Sequence, residues 1–283
     1  MTLVGYLARR YPHTPPAGWR ARARAGRLLL DGVPAGPEAT VRTGQTLIWA
    51  RPPWREPEAP LSFAVLFRDE HLLGVLKPTG LPTLPGGGFL DHTLLRVVRR
   101  SFPEASPLHR LGRGTTGLVL CARTQEAGSV VSSAWQRGEV RKLYRALISG
   151  YPTQERFSID VPIARLSRPP GSYPCHGAAP GGMSSLSHVQ VLEKRESGAL
   201  VEVEIVTGRS HQIRIHLAWA GHPLVGDPFY GPGGLPISES TAGPGAGGYF
   251  LHSHRLVLRH PIDGRLLDLE APPPPLLRTA SER

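Results

Sequence analysis

The chain has 283 residues, and its 40% of hydrophobic residues can form a sizeable core, which excludes disorder along the whole length. Two cysteines are too few for a disulfide framework or a structural zinc site, and no apolar run is long enough to span a membrane. Since no secretory signal or membrane span is evident in the sequence, we expect a soluble cytoplasmic protein. The net charge of +11 attracts polyanions and favours nucleic acid as the partner over an anionic metabolite or no partner. The 33 glycines and 30 prolines favour a fold rich in turns over a helical bundle.

Residues 1–50 are predicted to form a small separate unit. The pattern indicates two short helices, 4–10 and 19–28, then a hairpin that turns at Asp31-Gly32 and a last strand over 46–50. The second helix carries arginines on one face, namely Arg20, Arg24 and Arg27. This pattern resembles S4-type RNA-binding domains, which makes the three arginines candidates for RNA contacts. A solvated helix face would show the same spacing, so both interpretations stay open.

Residues 51–60 (RPPWREPEAP) are too rich in proline for a helix or strand and are predicted to be an extended linker. A new hydrophobic pattern begins at Leu61, and the main domain is predicted over 61–271. The tail, 272–283, is again rich in proline, and we expect it to fray.

The main domain is predicted to contain short strands and a few helices. The strands are expected at 63–67, 72–76, 118–122, 143–148, 189–192, 201–205, 256–258 and 266–269. The helices are expected at 91–98, capped by Asp91, at 127–134 and at 213–220. Stretches 166–184 and 231–248 are predicted loops. Because strands outnumber helices and the links resemble hairpins, we predict an α+β fold with a mixed, mainly antiparallel central sheet.

Three stretches concentrate polar groups: 109–118 (HRLGRGTTGL), 141–147 (RKLYRAL) and 207–217 (TGRSHQIRIHL). Glycines allow a backbone to approach a ligand closely, and arginines beside them can hold phosphates. The third stretch brings Arg, His and Gln side chains together at a predicted strand-to-helix junction. That density of donors indicates a polar site for an anion or a base, without naming a reaction.

In their order and spacing, the three stretches resemble the RluA-type pseudouridine synthases, and 77–82 (KPTGLP) and 251–256 (LHSHRL) fit the same family. The resemblance covers about 61–271. It implies a catalytic cleft in which a uridine, flipped out of structured rRNA or tRNA, is isomerised to pseudouridine. It also implies that no metal and no organic cofactor are needed.

The resemblance also implies roles for individual residues. Tyr144 matches the tyrosine that stacks on the flipped base and can assist at C5, and Arg209 matches the arginine that pairs with the catalytic aspartate. The remaining polar residues of the motifs would contact RNA or orient the cleft, namely Arg110, Arg113, His211, Gln212 and Arg214.

Gly112 stands where this family has its catalytic aspartate. The family mechanisms ask that carboxylate to attack C1′ or to remove a sugar proton, and glycine offers no nucleophile, base or charge. Three interpretations follow: another acid fills the gap, the fold has kept RNA binding and lost the chemistry, or this is a natural branch with another route. The candidate acids are Asp69, Asp91, Glu104 and Glu139.

Three functional hypotheses therefore stand side by side. The first is an RNA pseudouridine synthase, and the second is a non-catalytic RNA-binding protein with the same fold. The third is a metabolic enzyme that holds an anionic substrate in the Arg/His cluster. The third predicts no affinity for RNA, whereas the first two predict RNA binding that weakens with salt.

Overall fold

The computed structural model describes residues 1–12, 14–166, 175–238, 240–243 and 245–283. The described residues form two compact units, Met1–Arg55 and Glu56–Leu166 with Cys175–Arg283. No helix in these ranges is long and apolar enough to cross a membrane.

The first unit contains two helices and a small antiparallel sheet in the order β2-β1-β3. Its elements are α1 (Leu3–Arg10), α2 (Pro16–Arg24), β1 (Leu28–Leu30), β2 (Val33–Pro34) and β3 (Leu47–Trp49). Thr2 caps α1 by accepting a hydrogen bond from the Gly5 N–H at 3.2 Å. Asp31 and Gly32, with φ of 51° and 84°, close the β1–β2 hairpin in the left-handed region that such a two-residue turn requires.

Helix α2 is shorter than the predicted helix over 19–28. It ends at Arg24 because Gly26 adopts φ +66°, and the Arg27 N–H then donates to the Arg22 carbonyl at 3.0 Å. This is the glycine-terminated end that commonly stops helices. Arg27 therefore lies beyond the helix and is half-buried, so the prediction that it shares a helix face with Arg20 is wrong.

The buried face of α2 is the one that carries its tryptophan. Trp19 and Ala23 are buried in the core of the first unit, whereas Ala21 and Ala25 are exposed. Trp19 packs edge-on against Trp49 of β3, with ring centroids 5.6 Å apart. The large indole ring contributes more apolar area than the alanines, and it therefore sets which face of the helix turns inward.

The second unit contains α3 to α5 and β4 to β17. The strands are β4 (Ala64–Arg68), β5 (Leu72–Lys77), β6 (Ser106–Pro107), β7 (Thr116–Ala122), β8 (Arg141–Ser149), β9 (Arg156–Asp160), β10 (Ile163–Leu166), β11 (Cys175–Ala178), β12 (Leu186–Arg195), β13 (Gly198–Ile205), β14 (Tyr230–Gly231), β15 (Leu235–Pro236), β16 (Leu251–Arg259) and β17 (Leu266–Glu270). The helices are α3 (Leu94–Arg99), α4 (Gln125–Gln136) and α5 (Gln212–Trp219).

The main sheet has the strand order β4-β5-β7-β16-β8-β13-β12-β9, with β17 beside β16 and β6 beside β7. Among the described strands, β16 and β7 pair in parallel and the other ladders are antiparallel. The predicted α+β class with a mixed, mainly antiparallel sheet is confirmed.

One face of this sheet carries both the core and Tyr144. Successive side chains of a strand point to opposite faces, so Tyr144, Ala146 and Ile148 of β8 share a face. They belong to one buried cluster together with apolar residues of β13 and of α5, including Val203 and Leu217. Packing α5 on this face places the first turn of the helix close to Tyr144.

A helix cap and a strand pairing correct two predictions in this unit. Helix α3 is capped by Thr93, whose hydroxyl accepts from the Arg96 N–H at 3.4 Å, and Asp91 lies outside it. Within the predicted loop 166–184, residues Cys175–Ala178 pair with Ile163–Leu166 as β11 and β10. Residues 167–174 of that loop lie outside the described residues.

The C-terminal tail packs onto the sheet, so the expectation that it frays is wrong. Leu277 is 1% exposed, and the Arg195 guanidinium donates to the carbonyls of Leu276 and Arg278. Arg145 forms a two-pronged pair with Glu282, with both N–O distances 3.1 Å. Prolines prevent a long helix here, but the segment forms two short 3₁₀ turns. These turns place the Leu277 side chain in the core and the carbonyls where Arg195 can donate to them.

Leu277 and Leu276 allow a matched test of this packing. We expect Leu277→Ala to lower the free energy of unfolding by about 2–5 kcal/mol, because it empties a buried site. Leu276 is 53% exposed, and we expect Leu276→Ala to change it by less than about 0.5 kcal/mol. Urea denaturation measures both, and equal small effects would show that the tail is frayed in solution.

Candidate active site

A cleft open to solvent lies where the three polar stretches meet. It is bounded by the turn before β7, by Tyr144 of β8, by the end of β13 and by the first turn of α5. The residues that line it are Arg110, Leu111, Gly112, Thr115, Tyr144, Ile205, Arg209, His211, Gln212, Ile213, Arg214, Tyr249 and Leu251. The structure thus brings Tyr144, Arg209 and Gly112 to one pocket.

Tyr144 is 7% exposed, and burial raises the pKa of its hydroxyl to about 12. The phenol is therefore neutral at physiological pH and poorly suited to remove a proton. A flat neutral ring at the bottom of a cleft is suited to stacking on a base, since every base presents a π-face.

The position of the expected aspartate is occupied by the exposed backbone of Gly112. No carboxylate lines the cleft within the part of the chain that the structure describes. None of the four acids considered from the sequence lines the cleft, and each is paired elsewhere with a basic side chain. The pairs are Asp69–His260 at 3.1 Å, Asp91–Arg96 at 3.6 Å, Glu104–Arg123 at 2.7 Å and Glu139–Arg137 at 2.6 Å.

Arg209 and Arg214 both line the cleft, but their surroundings differ. Arg209 is half-buried at the cleft, and its Nε donates to the Ser184 carbonyl at 3.1 Å. It is therefore not the buried, unpaired cation that loss of the aspartate would leave behind. Arg214 was expected to contact RNA, but its side chain is only 3% exposed. Its guanidinium forms a bidentate ion pair with the Asp227 carboxylate.

The Arg214–Asp227 pair is the electrostatic centre of the site. The Nε–Oδ2 and Nη2–Oδ1 distances are both 2.7 Å, and the Asp227 side chain is 1% exposed. Burial opposes the charge of Arg214, but the hydrogen bonds to Asp227 still raise its pKa. Oδ1 of Asp227 also accepts from the N–H groups of Phe229 and Tyr230, at 2.9 and 3.1 Å. A buried pair is tolerated when its remaining hydrogen-bonding capacity is satisfied in this way.

Gln212 fixes the turn that leads into α5. Its Oε1 accepts from the Thr207 hydroxyl at 2.7 Å and from the Arg209 N–H at 3.0 Å. Its Nε2 donates to the Leu186 carbonyl at 2.9 Å and to Ser187 Oγ at 3.0 Å. Gln212 is 2% exposed, so its amide holds the loop onto β12 and is not available to RNA.

His211 adopts φ +58°, a left-handed conformation that is strained for a residue with a side chain. Its Nδ1 is 2.8 Å from the Tyr230 hydroxyl, which also donates to the His176 carbonyl at 3.0 Å. Burial and the positive charge of Arg214 lower the pKa of His211 to about 3. The imidazole is therefore neutral at physiological pH.

The two arginines of the first motif separate in the structure. Arg110 is exposed at the rim of the cleft, where an RNA phosphate can reach it. Arg113 is directed away from the lining residues: its Nε donates to the Gly245 carbonyl at 3.0 Å, and its guanidinium lies 5.5 Å from the Phe89 ring centroid. Arg113 therefore anchors the backbone at Gly245.

Lys77 opens the stretch 77–82 that fits the family, and the structure gives it a structural role that the sequence did not indicate. It is fully buried, and its Nζ donates to the carbonyls of Pro78, Leu81 and Arg113 at 2.9, 2.7 and 3.3 Å. Burial lowers its pKa to about 7. The ammonium thereby ties β5 and the following turn to the first motif. The sequence signal for this role was a single lysine in an otherwise hydrophobic strand.

Tyr249 and Thr115 were also missed. Tyr249 is 6% exposed, and its hydroxyl is 3.2 Å from Thr115 Oγ1. The Arg214 guanidinium carbon lies 4.3 Å from the Tyr249 ring centroid. Tyr249 follows a glycine-rich stretch that we predicted to be a loop, and such a stretch does not indicate where the next side chain points.

No group of three or more His, Cys, Asp or Glu side chains among the described residues is arranged to hold a metal ion. Cys121 and Cys175 are both buried, and burial raises the pKa of Cys121 to about 12, so this thiol is protonated.

The Arg214–Asp227 pair makes a measurable prediction. We expect Asp227→Ala to lower the free energy of unfolding by about 3–5 kcal/mol, because it leaves a buried cation unpaired. The matched control is Asp268→Ala, which breaks the pair with Arg255, where both side chains are 43% exposed. That change should cost at most about 1 kcal/mol. Similar losses in urea denaturation would contradict the special status of the buried pair.

Comparison with known proteins identifies the family of this chain. The profile of a family described as RNA pseudouridylate synthase matches residues 71–219. An RNA pseudouridine synthase of Synechocystis is 41% identical over 279 residues, covering 98% of this chain and 96% of that protein. The ribosomal large subunit pseudouridine synthase D of Pseudomonas aeruginosa is 32% identical and covers 91% of this chain and 83% of its own.

Among solved structures, human RNA pseudouridylate synthase domain containing 1 superimposes with a TM-score of 0.61 at 25% identity, covering 79% of this chain and 89% of that one. The chain is thus a member of the RNA pseudouridine synthase family of the RluA type.

Proposed function

We propose that this protein isomerises uridine to pseudouridine in structured RNA, either rRNA or tRNA. The observation that carries the proposal is the shared cleft, in which the Tyr144 ring, the Arg209 guanidinium and the turn at Gly112 line one pocket. Family membership supports the reaction and leaves the anion-binding metabolic enzyme without support.

The cleft suits an extruded nucleotide. The neutral Tyr144 ring provides a stacking surface for the uracil, and stacking on an aromatic side chain tolerates rotation of the base. Arg110 and Arg209 lie at the cleft with positive charge, and guanidinium groups bind phosphate oxygens with two parallel hydrogen bonds. These residues therefore hold the backbone while the base turns between them.

The reaction itself breaks the C1′–N1 bond, rotates the uracil and joins C1′ to C5. All atoms of the uridine are retained except for an exchange of protons, so no oxidant, reductant or group carrier is required. We therefore propose an enzyme without a metal or an organic cofactor, and a cytoplasmic location.

The first unit is proposed as an additional RNA-binding surface of the S4 kind. Arg20 and Arg24 are both exposed and lie one helical turn apart on α2, where they present two charges on the same side. Arg27 is half-buried and contributes less to such a surface.

A second candidate function is RNA binding without catalysis. The glycine at position 112 favours it, because the group on which the family reaction depends is absent there. The proposed cleft would then still grip an RNA loop, but the glycosidic bond would stay intact.

Tritium release separates the two functions. We expect the protein to release tritium from rRNA or tRNA transcripts labelled at uridine C5, because the new C–C bond displaces that hydrogen. Loss of stacking in Tyr144→Leu should lower kcat/KM by about 10–100-fold, equivalent to about 1–3 kcal/mol. The control is Tyr151→Leu, since Tyr151 is 48% exposed and outside the cleft. RNA binding without any tritium release from wild type would favour the non-catalytic protein.

The role of the first unit is tested by salt dependence. We expect the double change Arg20→Ala with Arg24→Ala to weaken RNA binding and to reduce the slope of log K against log salt by about 1.4, since each lost phosphate contact removes about 0.7. Arg137→Ala is the control, because Arg137 is exposed but already paired with Glu139. An unchanged slope in titrations between low and high salt would exclude this surface from RNA binding.

A further inference from the structure

The Tyr249 hydroxyl occupies the space beside Gly112. A Cβ built on Gly112 would lie 3.0 Å from the Tyr249 hydroxyl oxygen and 3.4 Å from Thr115 Oγ1. The backbone at Gly112 does not have the positive φ that would demand glycine. Position 112 is therefore open to a side chain by its conformation, and the space next to it is taken by a phenol.

Gly114 makes room for the same ring. A Cβ on Gly114 would lie 2.8 Å from Gly247 Cα, 3.0 Å from Tyr249 Cζ and 3.1 Å from Tyr249 Cε1. Contacts this short with backbone and with a packed ring do not occur, so a side chain at 114 is incompatible with Tyr249 in this place. The two glycines of the first motif and Tyr249 thus form one arrangement, in which a tyrosine lies where a carboxylate is missing.

The surroundings of Tyr249 suit a hydroxyl that exchanges protons. Thr115 Oγ1 lies 3.2 Å from the hydroxyl oxygen and orients it. The Arg214 guanidinium carbon lies 4.3 Å from the ring centroid, and Asp227 holds that guanidinium in place on two prongs. A fixed cation against the ring stabilises negative charge that develops on the phenol oxygen. Tyr249 also lines the cleft that contains Tyr144.

We propose that Tyr249 is a catalytic residue that acts as the general acid and then the general base of the isomerisation. The inference rests on the proposed function and supplies the group that Gly112 lacks. As the C1′–N1 bond breaks, its electron pair goes to N1, which takes the proton of the Tyr249 hydroxyl. The uracil then leaves C1′ as a neutral base, and Tyr249 becomes a phenolate.

The second half of the cycle restores the phenol. After the base rotates, the C5–C6 double bond supplies the electron pair that joins C5 to C1′. C5 then carries both its original hydrogen and the sugar, and the phenolate removes that hydrogen as a proton. N1 has gained one proton, C5 has lost one, and Tyr249 returns to its starting state, so the cycle balances without another reactant.

One residue can serve both transfers because of where they occur. N1 is bonded to C1′ before rotation and C5 is bonded to C1′ after it, so both atoms occupy the same place relative to the ribose. A hydroxyl fixed beside that place by Thr115 meets the departing N1 and later the C5 hydrogen. The Tyr144 ring keeps the stacking role, in agreement with the raised pKa of its hydroxyl.

The test compares Tyr249→Phe with wild type in single-turnover tritium release from rRNA and tRNA transcripts labelled at uridine C5. We expect a loss of at least about 100-fold in rate, the usual contribution of general acid–base catalysis, with RNA affinity unchanged. Tyr151→Phe, which removes a hydroxyl outside the cleft from a half-exposed tyrosine, should keep the wild-type rate. A Tyr249→Phe rate within about 3-fold of an active wild type would overturn this proposal alone. A wild type that is silent on all transcripts would overturn the proposed function with it.

A pH profile distinguishes catalysis from packing. Difluorotyrosine at position 249 keeps the shape of the ring and acidifies its hydroxyl, so the alkaline limb of the rate profile should move to lower pH. The same replacement at position 151 should leave the profile in place. A profile that does not move with the acidity of residue 249 would show that its hydroxyl has only a structural role.

Discussion

The site depends on one buried ion pair. Arg214 lies on α5 and Asp227 on the turn after it, and neither charge could remain buried without the other. The pair fixes the first turns of α5 against the segment that leads to Tyr230. It also holds a guanidinium under the cleft, between the rings of Tyr230 and Tyr249. The pair thereby fixes the helix that carries the lining residues Gln212, Ile213 and Arg214.

Many polar side chains of the motifs form hydrogen bonds that hold the cleft together and are not free to bind its ligand. Gln212 makes two hydrogen bonds within the loop before α5 and two to β12, and Lys77 donates to three carbonyls of the turns around the first motif. Buried polar groups must be paired in a folded protein. Irregular loops such as these can therefore be held close to a substrate only if side chains supply the partners that strands or helices would otherwise provide.

Several elements could be predicted from the sequence because their causes are local. The 3.6-residue spacing of Ala127 and Val131 predicts α4, and Gly138, with φ +75°, ends it. The alternation in β13 and the turn at Asp31-Gly32 are likewise determined by neighbouring residues. The helix end at Gly26 was also a local signal, but the arginine spacing that continued past it outweighed the glycine in the prediction. The motifs identified Tyr144, Arg209 and Gly112 as neighbours, because their family resemblance reflects a shared fold.

The sequence by itself thus determined the fold class, most strands and helices, and the three stretches that line the cleft. Only the tertiary structure decided which arginine is buried, that Asp227 is its partner, and that Tyr249 fills the space beside Gly112. Periodicity and turn chemistry act over a few residues, whereas Gly112 and Tyr249 are brought together by the pairing of β16 with β7 and β8. Contacts between distant segments depend on the packing of the whole sheet, which no local pattern contains.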